Sequence, residues 1–122
     1  IPSKINEVNV TSYQGMFSGT SVKKVISTNS NVTNMSFMFN TSQATYLDLS
    51  NFNTSNVTNM SSMFNSSKAT TLDLSSFNFT NANVANIFNN AQTTSVLVKD
   101  AASQTKLNDL SNKLAHTVIK IK

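Results

Sequence analysis

Apolar residues recur along this chain in two alternating spacings. The first is that of Val57, Met60, Met63 and Phe64, at i, i+3, i+6 and i+7, the stripe of a short helix. The second is that of Leu47/Leu49 and Leu72/Leu74, each pair flanking an Asp, which is the alternation of a short strand. Both recur. The nine residues 56–64 match 31–39 and, more loosely, 9–17, and an eroded copy ends at Ile87-Phe88. Eight residues after each Phe comes an apolar pair: Val25/Ser27, where the pattern degenerates, then Leu47/Leu49, Leu72/Leu74 and Val96/Val98.

The Phe positions advance from 17 to 39, 64 and 88, steps of 22, 25 and 24 residues. This period predicts an α/β repeat fold: a short right-handed leucine-rich-repeat-like solenoid of about four 22–25-residue helix–strand units, with a parallel sheet and a C-terminal helix–strand cap. Ser55 or Asn56 is the expected N-cap of the repeat helix. At roughly two turns that helix is too short to persist unless its neighbours hold it. Stacked units put Phe17, Phe39, Phe64 and Phe88 in one core row. Met16, Met38, Met63 and Ile87 form a second row, and Tyr13, Met35, Met60 and Val84 a third. In a fourth, Val10, Val32 and Val57, Asn81 takes the place of Val, and the missing residue is assigned to the loop before it. All five Met residues fall in these rows and are expected in the core. Phe52 and Phe77 are expected to plug the turn after each strand, with Asn51, Asn53 and Asn78 binding loop backbone there.

The organisation expected is an N-terminal lead-in over 1–8, repeats over 9–98 and a cap over 99–122. In the cap, Asp100 starts a helix over 101–115 with Leu107, Leu110 and Leu114 on one face. Thr117 to Lys122 then alternates as an edge strand, with Ile119 and Ile121 on one face and Lys120 and Lys122 guarding the other.

Composition narrows the function. Apolar residues make up 39% of the 122 and charged residues only 11%, so a narrow repetitive core is expected in an otherwise Asn/Ser/Thr-rich chain. The net charge is +4, and residues 99–122 supply most of it, with five Lys against Asp100 and Asp109. Every basic residue is Lys, and without the bidentate Arg that readers of bases and phosphates use, a nucleic-acid role is not expected. With no Cys, disulfides and thiolate metal sites are excluded. There is no apolar run near 18 residues that would suggest a spanning helix. The first residue is Ile1, which reads as a piece of a longer protein whose export signal and anchor lie elsewhere.

The strongest candidate surface is the outer side of the sheet, where Lys24/Ile26, Tyr46/Asp48, Thr71/Asp73 and Ser95/Leu97 alternate with the inward pairs. A rigid aromatic beside an acceptor suits recognition, so Tyr46, Asp48, Thr71 and Asp73 are the expected ligand contacts. Phe37, in a row with Gly15, Ser62 and Asn86, is a further candidate as an exposed aromatic. Asp48 and Asp73 lie one repeat apart, but no calcium-loop signature accompanies them, so no metal and no cofactor is expected. His116 is the single histidine and reads as a surface residue after a helix end. No nucleophile elbow, P-loop or dinucleotide fingerprint is present, and no enzyme is expected. The dense Asn-x-Ser/Thr triplets, Asn31, Asn34, Asn56 and Asn59 among them, fall inside the repeat and are explained by turn and cap chemistry.

Residues 47–64 and 72–88 resemble the BspA-like leucine-rich repeats, also known as the Mycoplasma-type 25-residue surface-protein repeats, and the resemblance covers about 9–98. It implies an extracellular module attached to a bacterial cell surface through other segments. Its implied role is adhesion, or recognition of a protein or glycan on a host or neighbouring cell. A spacer or terminal cap without a ligand is the other reading, and end-to-end self-association of open repeats is a further expectation. The family supplies no catalytic residues.

Overall fold

The repeat segments expected as helices are turns, and the solenoid of helix–strand units is not found. The computed structural model describes residues 1–110 and 115–122. Among them one α-helix forms, α1 (Ala101–Asn108), and it lies outside the repeats. The reason lies in the backbone. Phe37 and Thr41 have φ of 57° and 55°, Ser62 and Ser66 of 54° and 56°, and Asn86 and Asn90 both of 56°. Gly15 and Gly19 hold the same two places in the first copy, at 63° and 72°. Two left-handed residues four apart cannot belong to a right-handed helix.

Hydrogen bonding follows this geometry. Met35, Phe37, Phe39 and Thr41 donate their N–H groups to the carbonyls of Asn59, Ser61, Met63 and Asn65 in the next copy, at 2.8, 3.2, 2.9 and 2.8 Å. The N–H groups between them turn back locally: Met38 to Met35, Asn40 to Phe37 and Ser42 to Phe39, at 3.3, 3.1 and 3.1 Å. Each copy is therefore pinned to its neighbour at alternate residues, and the i→i−4 ladder of an α-helix has no donors left to use. Ser55, expected as a cap, instead donates its N–H to Asn53 Oδ1 at 3.0 Å in an Asx turn.

Four strands form one parallel sheet in the order β3 (Tyr46–Asp48), β4 (Thr71–Asp73), β5 (Ser95–Val98) and β6 (Val118–Ile121). Its register aligns Leu47, Leu72, Val96 and Ile119. A separate antiparallel hairpin joins β1 (Lys4–Ile5) to β2 (Val8–Asn9). A single parallel bridge sets Lys24 beside Asp48, so Val25 aligns with Leu49 rather than Leu47. That shifts the expected grid by two residues in the first copy. Ser27, expected as a degenerate inward residue of the strand, lies instead at the corner, bridged to Phe52. Its Oγ lies 2.9 Å from the buried Tyr13 hydroxyl, which also accepts from Asn29 Nδ2 at 3.3 Å.

The aromatic rows do stack. Phe17, Phe39, Phe64 and Phe88 form a column with ring centroids 5.6, 5.8 and 6.1 Å apart and planes within 18° of parallel. Phe52 and Phe77 are buried and 5.8 Å apart. Two row assignments need correction. Met16 is 41% exposed, because it belongs to the first copy and no further turn covers it. Ala82, not Asn81, follows Val32 and Val57 in the core: Ala82 donates its N–H to Phe79 O as Val57 does to Thr54 O. The missing residue falls just after Ala82, where Asn83 alone both donates to Thr58 O and bridges Asn59.

Asp100 caps α1, accepting from Ser103 N at 2.9 Å. The helix ends at Asn108 rather than near 115; Leu107 is buried and Leu110 packs at its margin, while the expected contact of Leu114 lies outside the described residues. In β6, Ile119 is buried, but Ile121 at the sheet edge stays half exposed. No helix among the described residues is long and apolar enough to cross a membrane.

Candidate recognition face

The outer face of the sheet is two rows deep. One runs Lys24, Asp48, Asp73, Leu97, Lys120, and the other has Tyr46, Thr71, Ser95 and Val118. Parallel pairing sets neighbours about 4.8 Å apart along each row.

The two carboxylates are held alike. Asp48 Oδ1 accepts from Ser50 N and Ser50 Oγ at 3.0 and 2.6 Å, and Asp73 Oδ1 accepts from Ser75 N and Ser75 Oγ at the same two distances. Their second oxygens differ. Lys24 Nζ lies 3.9 Å from Asp48 Oδ2, an open pair with 57% and 26% of the two side chains exposed. Lys122 Nζ donates to Asp73 Oδ2 at 2.6 Å, reaching over β5 to a carboxylate only 4% exposed. The Ser50 bonds hold the Asp48 carboxyl below its ordinary value. For Asp73, burial pushes the pKa up, but the bonds from Lys122 and Ser75 outweigh it and the net direction is down. The bond to Asp73 in turn raises the Lys122 ammonium above its ordinary value.

The five expected contact residues thus meet different fates. Tyr46 is 44% exposed beside a half-buried Asp48 and a half-buried Thr71. Asp73 is buried, because Lys122 covers its carboxylate on the outer face and Ser75 bonds its other oxygen, which leaves it closed to solvent. Phe37 is exposed, but it sits in the turn segment with Ser62 and Asn86 rather than on the sheet. Lys122 was missed as part of this face, although strand alternation had already put it on the side of the Asp residues. Tyr13, Ser27 and Asn29 form a buried polar cluster with no sequence signal beyond the Tyr itself.

A cavity of about 250 Å³ lies elsewhere, between α1 and the turn at Asn78, Phe79 and Thr80. Two of its charged groups are engaged: Asp100 caps α1, and Lys106 Nζ donates to the carbonyls of Phe79 and, at 2.8 Å, Ala82.

A chain of in-register copies with one parallel sheet and columns of stacked Phe is a repeat protein. This one belongs to the family described as Mycoplasma protein of unknown function, DUF285, whose model matches residues 2–101. No curated protein and no solved structure matches the chain.

Proposed function

We propose that this chain is a non-enzymatic recognition module of a bacterial cell surface, of the BspA-like kind by its repeat sequence, binding a protein or glycan on a host or neighbouring cell. Tyr46 carries the reading. It is a large aromatic left 44% exposed on the sheet, next to an Asp48 whose carboxylate two Ser50 bonds hold in place. An amphipathic ring with few rotatable bonds, beside a fixed acceptor, loses little entropy on binding. Phe37 offers a second contact. It is 42% exposed at a left-handed turn position that Gly15, Ser62 and Asn86 hold in the other copies, so the ring is presented to solvent by the repeat's own backbone. In this reading Thr71 lines the contact, while Asp73, bonded to Lys122, ties the C-terminal residue to β4 across the face. Anchoring to the cell would come from segments outside this chain.

The test is a screen of the purified protein against glycan arrays, extracellular-matrix proteins and intact cells, beside a Tyr46→Ala/Asp48→Ala variant. Binding that the double variant loses supports the reading; binding that it retains sinks it.

A second reading has its own observation. Asp48 and Asp73 are matched by Lys24 and Lys122, so the middle of the face is internally neutralised. That suits a spacer or terminal module with no ligand, and a screen with no specific binder would favour it.

A further inference from the structure

Around Tyr46 the outer face of the sheet holds one closed ion pair and one open one. Lys122 donates to Asp73 Oδ2 at 2.6 Å, and that carboxylate is shut off from solvent. Lys24 Nζ stands 3.9 Å from Asp48 Oδ2, beyond hydrogen-bond distance, and both side chains keep exposed surface. Ser50 fixes the other Asp48 oxygen through its N–H and its hydroxyl. Among the described residues, neither Asp48 Oδ2 nor Lys24 Nζ makes a hydrogen bond. The gap between them thus has a ready acceptor on one wall and a ready donor on the other. The exposed Tyr46 ring lies two residues before Asp48 on the same strand, so it stands on the same side of the sheet, about 7 Å away.

We infer that this gap binds a neutral pyranoside through two adjacent ring hydroxyls, with Tyr46 packed against the C–H face of the sugar. The inference rests on the recognition reading above and narrows its ligand to a glycan. Hydrogen bonding selects a diol. A hydroxyl both donates and accepts, so one can donate to Asp48 Oδ2 while its neighbour accepts from Lys24 Nζ, filling the separation that the ion pair leaves open. Charge selects a neutral ligand. Lys24 balances Asp48 and Lys122 balances Asp73, so an acidic sugar would bring a charge that the face does not match.

Rigidity favours a sugar over a peptide. In a pyranoside the apolar C–H face and the hydroxyl edge belong to one ring, and Tyr46 and the ion pair are met together. An extended peptide also sets an N–H beside a C=O, but its contact with Tyr46 comes from a separate side chain whose rotamers must be ordered. Thr71 stands beside Tyr46 in the next strand and adds a hydroxyl at the margin. The gap opens outward from the sheet, so further strands in the same sheet flank it without covering it.

The probes are methyl α-mannopyranoside, methyl α-glucopyranoside and methyl β-galactopyranoside. Each is titrated into the intact protein to about 100 mM while the Tyr46 ring and Lys24 side-chain resonances are followed by NMR. At least one is expected to shift both saturably. Cyclohexanol, an apolar ring with one hydroxyl, is expected not to, and the uronate of whichever sugar binds is expected to bind more weakly than the neutral form. Tyr46→Phe should keep binding and Tyr46→Ala lose it. Lys24→Met and Asp48→Asn, the second of which keeps an oxygen for Ser50, should each weaken it about tenfold. Absence of a saturable shift with all three sugars, equal binding of cyclohexanol or the uronate, or full affinity in Lys24→Met or Asp48→Asn would each overturn the inference. Binding to a matrix protein that the Tyr46→Ala/Asp48→Ala variant loses, and that none of the sugars inhibits, would overturn it too while leaving the recognition reading in place.

Discussion

Lys122 donates from Nζ to Oδ2 of Asp73 at 2.6 Å, crossing the strand that lies between them. The bond ties β6, which comes from outside the repeats, to the second of the repeat strands. Because Asp73 is buried and Lys122 is not, the two partners do not depend on the bond equally. Freed Lys122 is resolvated, whereas freed Asp73 keeps only its Ser75 bonds.

This asymmetry gives a pH signature. The Asp73 pKa is lowered in the folded state, so its contribution is present above the ordinary carboxylate value of 3.8 and is lost as pH falls through the folded value. The Lys122 pKa is raised, so its contribution is present below the ordinary value of 10.5 and is lost as pH rises through the folded value. Lys122→Met is expected to lower the melting temperature at pH 7, and the gap from wild type should close as the pH falls through the lowered folded-state value of Asp73. A gap that stays constant from pH 7 to pH 2 would show that packing, not the ion pair, is lost.

Ser42 is fully buried, and its Oγ has no hydrogen-bond partner among the described residues. The equivalent Ser67 receives Ala69 N at 3.1 Å, and Ala91 occupies the same column one copy later. Ser42→Ala removes an unpaired hydroxyl without adding volume and should stabilise by about 1 kcal/mol in urea unfolding. Destabilisation would indicate that the hydroxyl has a partner.

Phe37 pays for its left-handed backbone in stability. Asn86 holds the same place two copies on, at φ 56°, and Asn adopts that region at less cost than Phe. Phe37→Asn is expected to stabilise by about 1 kcal/mol. If Phe37 serves the recognition proposed, the same variant binds its ligand more weakly, and urea titration alongside a cell-binding assay separates the two effects.

Phe64 sits between Phe39 and Phe88, stacked on both and fully buried, while Phe17 is stacked on one side only. Phe64→Ala should cost about 3–5 kcal/mol and Phe17→Ala distinctly less. Equal costs measured by denaturant unfolding would argue against an ordered column.

Beside the backbone bond it accepts from Thr41, Asn65 joins three copies through side chains, donating from Nδ2 to Asn40 Oδ1 at 2.8 Å and accepting from Asn89 Nδ2 at 3.1 Å. Asn65→Ala breaks both bonds and is expected to cost about 1–2 kcal/mol, against about half that for Asn89→Ala at the end of the ladder. Thermal melts of the wild type and the two variants make the comparison, and equal losses would mean the ladder carries no weight.

The repeat period, the Phe column and the pairing of Leu47 with Leu72 were legible because like residues recur at a constant interval and stacking buries like against like. The same evidence misled over 31–39 and 56–64. Apolar residues at i, i+3, i+6 and i+7 fit a helix, yet here they line a turn whose alternate N–H groups reach the next copy. Gly15 and Gly19 carried a hint of this, but Phe37, Thr41, Ser62 and Ser66 at equivalent places concealed it, since none of them advertises a positive φ.

By itself the sequence determined what repeats, at what interval, and which side chains are apolar enough to need one another. Only the tertiary structure decided the conformation of the turn segments, the two-residue shift that aligns Lys24 with Asp48, and the partnership of Asp73 with Lys122. The reason is physical. Burial depends on periodicity, which is written locally. Backbone handedness and long-range ion pairs are settled by which hydrogen bonds remain available once neighbouring copies are in place.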